Sequence, residues 1–169
     1  MTEKIRNKIS ESGIINIDIS DFMPKNEAKG IDLKDWLVDD LIIRERDFKE
    51  KLKCFDLESY KGKNVFIYCS VDVIIPVWAF LLLQVKLNKI AEFIFFGTKD
   101  EMSLSLFQQS VESGLKTSEF KNKRVFIKGC GDPSLQLGFY SIVSQKLINE
   151  VKSLFYGEAC SNVPLIKNM

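Results

Sequence analysis

Asn64-Val65-Phe66-Ile67-Tyr68-Cys69-Ser70-Val71-Asp72 is followed by a second passage of the same character, Arg124-Val125-Phe126-Ile127-Lys128-Gly129-Cys130-Gly131-Asp132. The correspondence runs without a gap from Tyr60–Gly97 onto Phe120–Gly157, at a constant offset of 60 residues. Identical pairs include Lys61/Lys121, Lys63/Lys123, Phe66/Phe126, Asp72/Asp132, Lys86/Lys146, Phe95/Phe155 and Gly97/Gly157. Each copy reads strand, helix, strand. Val65–Tyr68 is β-branched and aromatic, Val73–Ile90 is apolar beyond strand length, and Phe93–Phe96 is a second strand closed by Gly97. In the second copy the strand is Val125–Lys128. A helix over Ser134–Ile148 carries Leu135, Phe139, Ile142 and Leu147, and Val151–Tyr156 is a strand closed by Gly157. Between the copies, Thr98 with Glu101 forms a capping box that opens a helix with Leu104, Phe107, Val111 and Leu115 on one face.

Alternating strands and helices with near-continuous apolar strands predict an α/β fold with a mostly parallel sheet, built from two duplicated βαβ units. Right-handed crossovers make the two first strands neighbours at the centre of one sheet, with a ligand crevice beyond their carboxyl ends. Residues 1–59 form an N-terminal helix/strand segment packed on an edge. It comprises a short helix over Glu3–Ser12, a half-exposed strand over Ile14–Ile19 and a polar loop through Pro24 and Gly30. A charged amphipathic helix over Arg44–Phe55 follows, with Phe48, Leu52 and Phe55 inward. The expected organisation is one domain over residues 1–169, with repeat units at 60–97 and 120–157.

Composition bounds the function. A chain of 169 residues that is 46% hydrophobic and 28% charged buries a full core without staples. The net charge of +1 excludes a dedicated nucleic-acid binder, which needs a basic face. The clusters Lys61-Gly62-Lys63 and Lys121-Asn122-Lys123-Arg124 read as solvated approaches to strands. Met1–Glu11 is charged and has no apolar run, so no secretory signal is read there. The longest apolar run, Val73–Leu83, contains Pro76 and falls short of the roughly 20 residues a membrane span needs. A cytoplasmic protein with reduced thiols and no membrane partner is expected. The four cysteines, spaced by 15, 61 and 30 residues, do not form a secreted disulfide framework. With no histidine in the chain, every histidine-based catalytic pair or metal ligand is excluded.

The chemistry-bearing candidates stand at the strand ends. Cys69 and Cys130 terminate the first strands of the two copies, and Cys160 follows the last strand by four residues, near enough to fold back. Three thiolates with an oxygen from Asp72 or Asp132 make a sulfur-rich donor set that suits zinc or iron. Three readings stay open: a metal held by Cys69, Cys130, Cys160, Asp72 and Asp132; a thiol-dependent enzyme with Cys69 or Cys130 as nucleophile; and a non-enzymatic interaction domain whose cysteines are buried as small hydrophobes. Asp72 and Asp132 also have an ordinary explanation as helix caps, with Pro133 at the first helical position. Gly129-Cys130-Gly131-Asp132-Pro133-Ser134 imitates a dinucleotide-binding loop. However, Ser134 replaces its third glycine, and Asp132 puts negative charge where a pyrophosphate would dock. The position six residues after each of these cysteines holds Ile75, Gln136 or Ile166, so the arginine of a thiol phosphatase is missing.

Lys34-Asp35-Trp36-Leu37, Arg44-Glu45-Arg46-Asp47-Phe48, Cys69-Ser70-Val71-Asp72 with Pro76-Val77-Trp78-Ala79, Lys128-Gly129-Cys130 and Gly157-Glu158-Ala159-Cys160-Ser161-Asn162-Val163-Pro164 follow one another in a familiar order. In order and spacing they resemble the domain-of-unknown-function family 2480, a family of small bacterial proteins, from about Gly13 to Pro164. Ala159 stands where that family tends to have proline, and Asn162 where it tends to have threonine. The resemblance implies an intracellular bacterial protein and no particular activity.

Overall fold

The computed structural model describes residues 14–128, 135–158 and 160–167. In chain order the elements are β1 (Ile14–Asp18), β2 (Ala28–Asp32), α1 (Glu45–Cys54), β3 (Asn64–Tyr68), α2 (Val77–Leu87), β4 (Phe93–Phe96) and α3 (Lys99–Gly114). There follow β5 (Arg124–Lys128), α4 (Leu137–Leu147), β6 (Ser153–Glu158) and β7 (Ser161–Lys167). The chain is a mixed α/β protein with two sheets. It divides into two compact units, one of Lys25–Ser103 and one of Met1–Pro24 with Leu104–Met169.

The first unit holds an all-parallel sheet of order β2-β3-β4. Val65 and Ile67 alternate into a core with Leu33, Trp36, Phe48, Leu52, Ala79, Leu83 and Leu87. On α1, Phe48 and Leu52 are buried one turn apart. The Phe48 ring lies 4.6 Å from Trp36 and 5.4 Å from Trp78, so one aromatic ties three segments together. Helix α2 is apolar on its outer side as well, and Val77, Leu81 and Val85 are exposed there.

The second unit holds a four-stranded sheet of order β1-β5-β6-β7, parallel except for β7. Phe139, Val143 and Leu147, one turn apart along α4, meet Val125, Ile127 and Leu154 from the sheet and Phe107 and Val111 from α3. The capping box appears as expected. The Thr98 amide and hydroxyl donate to Glu101 Oε2 at 2.7 and 2.9 Å, and the Glu101 amide donates to Thr98 Oγ1 at 3.3 Å.

The expectation of one sheet with the two first strands side by side is corrected. Two sheets form: β3 lies between β2 and β4, and β5 lies between β1 and β6. Neither β3 nor β5 has a free edge to offer the other. Strand β2 falls in the stretch expected to be a loop. Gly30 lies within it opposite Phe66, and a Cβ at Gly30 would meet the Phe66 ring at 2.7 Å. The missing side chain is what lets that ring lie over the neighbouring strand, so here glycine marks a close approach rather than a turn.

The N-terminal helix expected over Glu3–Ser12 lies outside the described residues, and the first described strand begins at Ile14. Helix α2 starts at Val77 behind Pro76, and α4 starts at Leu137 behind Gln136, both later than the apolar pattern predicts. The backbone of Pro76 is extended at the N-cap, and a proline ring restricts the residue before it to extended geometry. Asp72 is therefore too far ahead of α2 to cap it, and among the described residues no side chain caps either helix. Strand β6 runs on to Glu158, and Gly157 lies inside it with φ of 109° instead of closing it.

Candidate functional site

In the four-stranded unit, parallel pairing of β5 and β6 brings Ile127 and Tyr156 side by side near the carboxyl ends of their strands. In parallel α/β sheets this is the end at which side chains and helix N-termini leave room for a ligand. Helix α4 begins over them, and its first two turns contribute Leu137, Gly138, Tyr140, Ser141 and Ser144. With Leu165 of β7 these residues enclose a groove of about 540 Å³. That is within the size range of small-molecule sites.

Local sequence explains each wall. Phe139 and Val143 turn into the core, so the positions beside them, Tyr140 and Ser144, come to the groove side of α4. Leu165 is the extra residue of a bulge: Phe155 pairs with Pro164 and Leu154 with Ile166, leaving Leu165 without a partner in the register. Pro164 is tolerated because β7 is the last strand of its sheet. Tyr140 and Tyr156 meet edge to face at 5.6 Å and fix one side of the opening.

Among the described residues the groove is lined by apolar groups and hydroxyls, with no charged side chain. The Ser141 hydroxyl oxygen accepts from the Gln145 amide at 3.0 Å, which leaves its proton free to donate. The Ser144 hydroxyl donates to the Ser141 carbonyl at 3.0 Å, which leaves its oxygen free to accept. One donor and one acceptor therefore stand one turn apart on an otherwise apolar wall. Among the described residues lining it, none is a nucleophile paired with a base.

The cysteine candidates are placed less favourably. Cys69 directly follows β3 and is half-buried against the apolar cluster of the three-stranded unit. Asp72, in the same unit, is exposed. Cys160 is exposed in the turn between β6 and β7 of the four-stranded unit, and Cys54 is exposed at the end of α1. Cys130 and Asp132 lie outside the described residues. Among the described residues, no group of three or more cysteines and carboxylates is arranged to hold a metal ion. Nor, among them, is any helix long and apolar enough to cross a membrane.

Two aspartates absent from the sequence expectations shape the loops at the strand ends. Asp18 accepts from the amide and hydroxyl of Ser20 at 3.0 and 2.6 Å, and these bonds hold its carboxyl below the ordinary value, with help from Lys128. Asp32 accepts from the Lys34 amide at 2.9 Å and the Ser70 amide at 3.0 Å, joining the loops that follow β2 and β3. Burial pushes the Asp32 carboxyl up, but the hydrogen bonds from Ser70 and Lys34 outweigh it, and the net displacement is downward. A depressed carboxylate contributes its stability above its unfolded pKa of about 3.9, and that contribution is lost as pH falls through the lower folded value. Stability should therefore decline on acidification below about pH 4. Denaturant titrations across that range should give a shallower decline for Asp32→Asn, with a loss of about 1 kcal/mol at neutral pH from the weakened hydrogen bonds. An unchanged acid limb would show that these bonds do not depend on the charge.

The sequence held a signal for the groove that the cysteines obscured. Leu137, Ser141 and Ser144 recur at helical spacing on a helix whose other face is Phe139, Val143 and Leu147. The same positions of α2 hold Val77, Leu81 and Gln84, so the serines are not required by the helix–sheet packing.

No curated protein and no solved structure matches this chain. A family model described as protein of unknown function, DUF2480, matches residues 3–168. With essentially its whole length matched, the chain belongs to the DUF2480 family.

Proposed function

We propose that this protein is a binding domain without chemistry of its own, and that its ligand is an uncharged, largely apolar small molecule bearing a hydrogen-bonding group. The observation that carries this reading is the groove itself. It offers about 540 Å³ at the carboxyl ends of β5 and β6, with apolar walls, no charged side chain among the described residues, and a donor and acceptor on Ser141 and Ser144. A charged ligand would lose its hydration there without an opposite charge in return.

Octanamide has the required chemistry: an aliphatic chain with one amide that both donates and accepts. Calorimetric titration should give saturable one-to-one binding with Kd below about 1 mM. Ser144→Trp, which fills the floor of the groove, should weaken it at least about tenfold, the scale expected when an apolar pocket loses its volume. Equal affinity of the variant and the parent, or no saturation of the parent, would sink the reading.

The competing reading is a thiolate centre in which Cys130 and Cys160, with Asp132, take part in holding zinc or iron. Its support is the strand order. The chain toward Cys130 leaves β5 at the same end of the sheet where the turn bearing Cys160 leaves the adjacent β6. Elemental analysis after anaerobic purification separates the two, because about one equivalent of tightly bound metal, lost on Cys160→Ser, would favour the thiolate centre.

The two βαβ segments are copies of one unit in this account. Their registers support it, since Asn64↔Phe93 and Arg124↔Ser153 are equivalent pairs. The likeness extends to the strands before them. Ile17-Asp18-Ile19-Ser20-Asp21-Phe22 and Ile31-Asp32-Leu33-Lys34-Asp35-Trp36 each end a strand, turn once and pair in parallel, Ile17↔Ile127 and Ile31↔Ile67.

A further inference from the structure

At the other end of the four-stranded sheet, on the face away from α4, three cations stand together. Alternation along the strands sets the face. Val125, Leu154 and Ile166 pack on the α4 side, so Arg124, Ser153, Phe155 and Lys167 belong to the opposite one. Arg124 is the first residue of β5, Ser153 the first of β6 and Lys167 the last of β7. The register aligns them in one row, Arg124↔Ser153↔Lys167. Lys152 precedes β6 beside them. These four residues and Phe155 line a cleft of about 300 Å³.

The row is unusual for its charge. Neighbouring strands are about 4.8 Å apart, so Arg124 and Lys167 are held roughly 10 Å apart across Ser153. Among the described residues no carboxylate lines the cleft, and none of its three cations makes an ion pair. Like charges gathered within about 10 Å on one face repel unless something answers them. The fold does not demand the first two: at the places equivalent to Arg124 and Lys152 the three-stranded unit has Asn64 and Glu92. Phe155 supplies a flat floor, stacked on Phe126 at 4.7 Å and 12°.

We infer that this cleft is an anion site that takes a phosphate-bearing small molecule. Its anionic group is held by Arg124, Lys152 and Lys167, and its remaining part lies against Phe155. Arginine supplies a planar fork that matches phosphate oxygens, while the two lysines act as point charges on either side. The cleft is at the end of the sheet opposite the uncharged groove, so the two sites answer to different ligands.

Inorganic pyrophosphate is the probe. Calorimetry on the full chain at low ionic strength should give saturable binding that weakens as salt is added, because exposed charges are screened. Arg124→Gln with Lys167→Gln together should weaken binding at least about tenfold, as expected when two charge-assisted contacts are lost. Lys152→Gln, outside the strands, should weaken it about threefold and needs no change in pairing. Lys49→Gln on α1 should leave it unchanged, as should octanamide present in the groove. Failure to saturate by about 10 mM would overturn the inference. So would equal binding by Lys152→Gln and the double variant, or an equal loss in Lys49→Gln.

Discussion

Phe139→Ala should lower the stability of the protein by about 3–5 kcal/mol, measured by chemical denaturation. The Phe139 ring is fully buried and lies 4.6 Å from the equally buried Phe107, in the cluster formed by α3, α4 and the four-stranded sheet. Truncation removes the transfer energy of the ring and leaves a cavity among Val125, Ile127, Val143 and Leu154, most of which are held by strand pairing and can collapse only in part. Phe139→Leu keeps most of the volume and should cost less than about 1.5 kcal/mol. Similar losses in the two variants would mean that the site repacks freely. Phe139 is next to Tyr140 and Ser141, so the alanine variant should also loosen the groove wall and weaken octanamide binding.

Phe48→Ala should produce a loss of the same size, about 3–5 kcal/mol, in the three-stranded unit. Phe48 is 1% exposed, and its ring contacts Trp36 and Trp78, which belong to the turn after β2 and to α2. Each aromatic pair adds about 0.5–1.5 kcal/mol beyond area burial, so this ring does more than fill space. Tryptophan fluorescence gives an independent readout, because Trp36 and Trp78 both lose their neighbour. Stability within about 1 kcal/mol of the parent, with unchanged emission, would contradict the packing described.

The elements read best from sequence are those whose local pattern and final environment agree. Phe93–Phe96 is a strand with the bounds its aromatic run predicts, and the Thr98/Glu101 box closes as its spacing requires. The amphipathic helix around Phe48 and Leu52 also falls where expected. Strands β2 and β7 escaped because each contains a residue that ordinarily breaks strands. Gly30 is explained only by the Phe66 ring across from it, and Pro164 only by the position of β7 at the sheet edge. Both reasons are tertiary. Missing β2 led directly to the single sheet, since it left one side of β3 open for β5.

Only the end of the sheet was legible: the expected crevice lay between the first strands of the two copies, which fall in separate sheets. The carboxyl ends of parallel strands are where the groove opens, but its walls come from Tyr140, Ser141, Ser144, Tyr156 and Leu165 rather than from thiols. Cysteines attract notice because they are rare and reactive. A serine stripe on a helix is quieter, and its meaning depends on a bulged strand that the sequence did not reveal. Cys69 is half-buried against an apolar cluster, surroundings that a small hydrophobe also takes.

Amide chemical-shift mapping of isotope-labelled protein during an octanamide titration probes the proposed ligand-binding role most directly. Changes that saturate together at Gly138, Ser141, Ser144, Tyr156 and Leu165, and stay small around Phe48 and Leu83, are the predicted result. Shifts scattered over the exposed face of α2 at Val77, Leu81 and Val85, with none at Ser141 or Ser144, would contradict it.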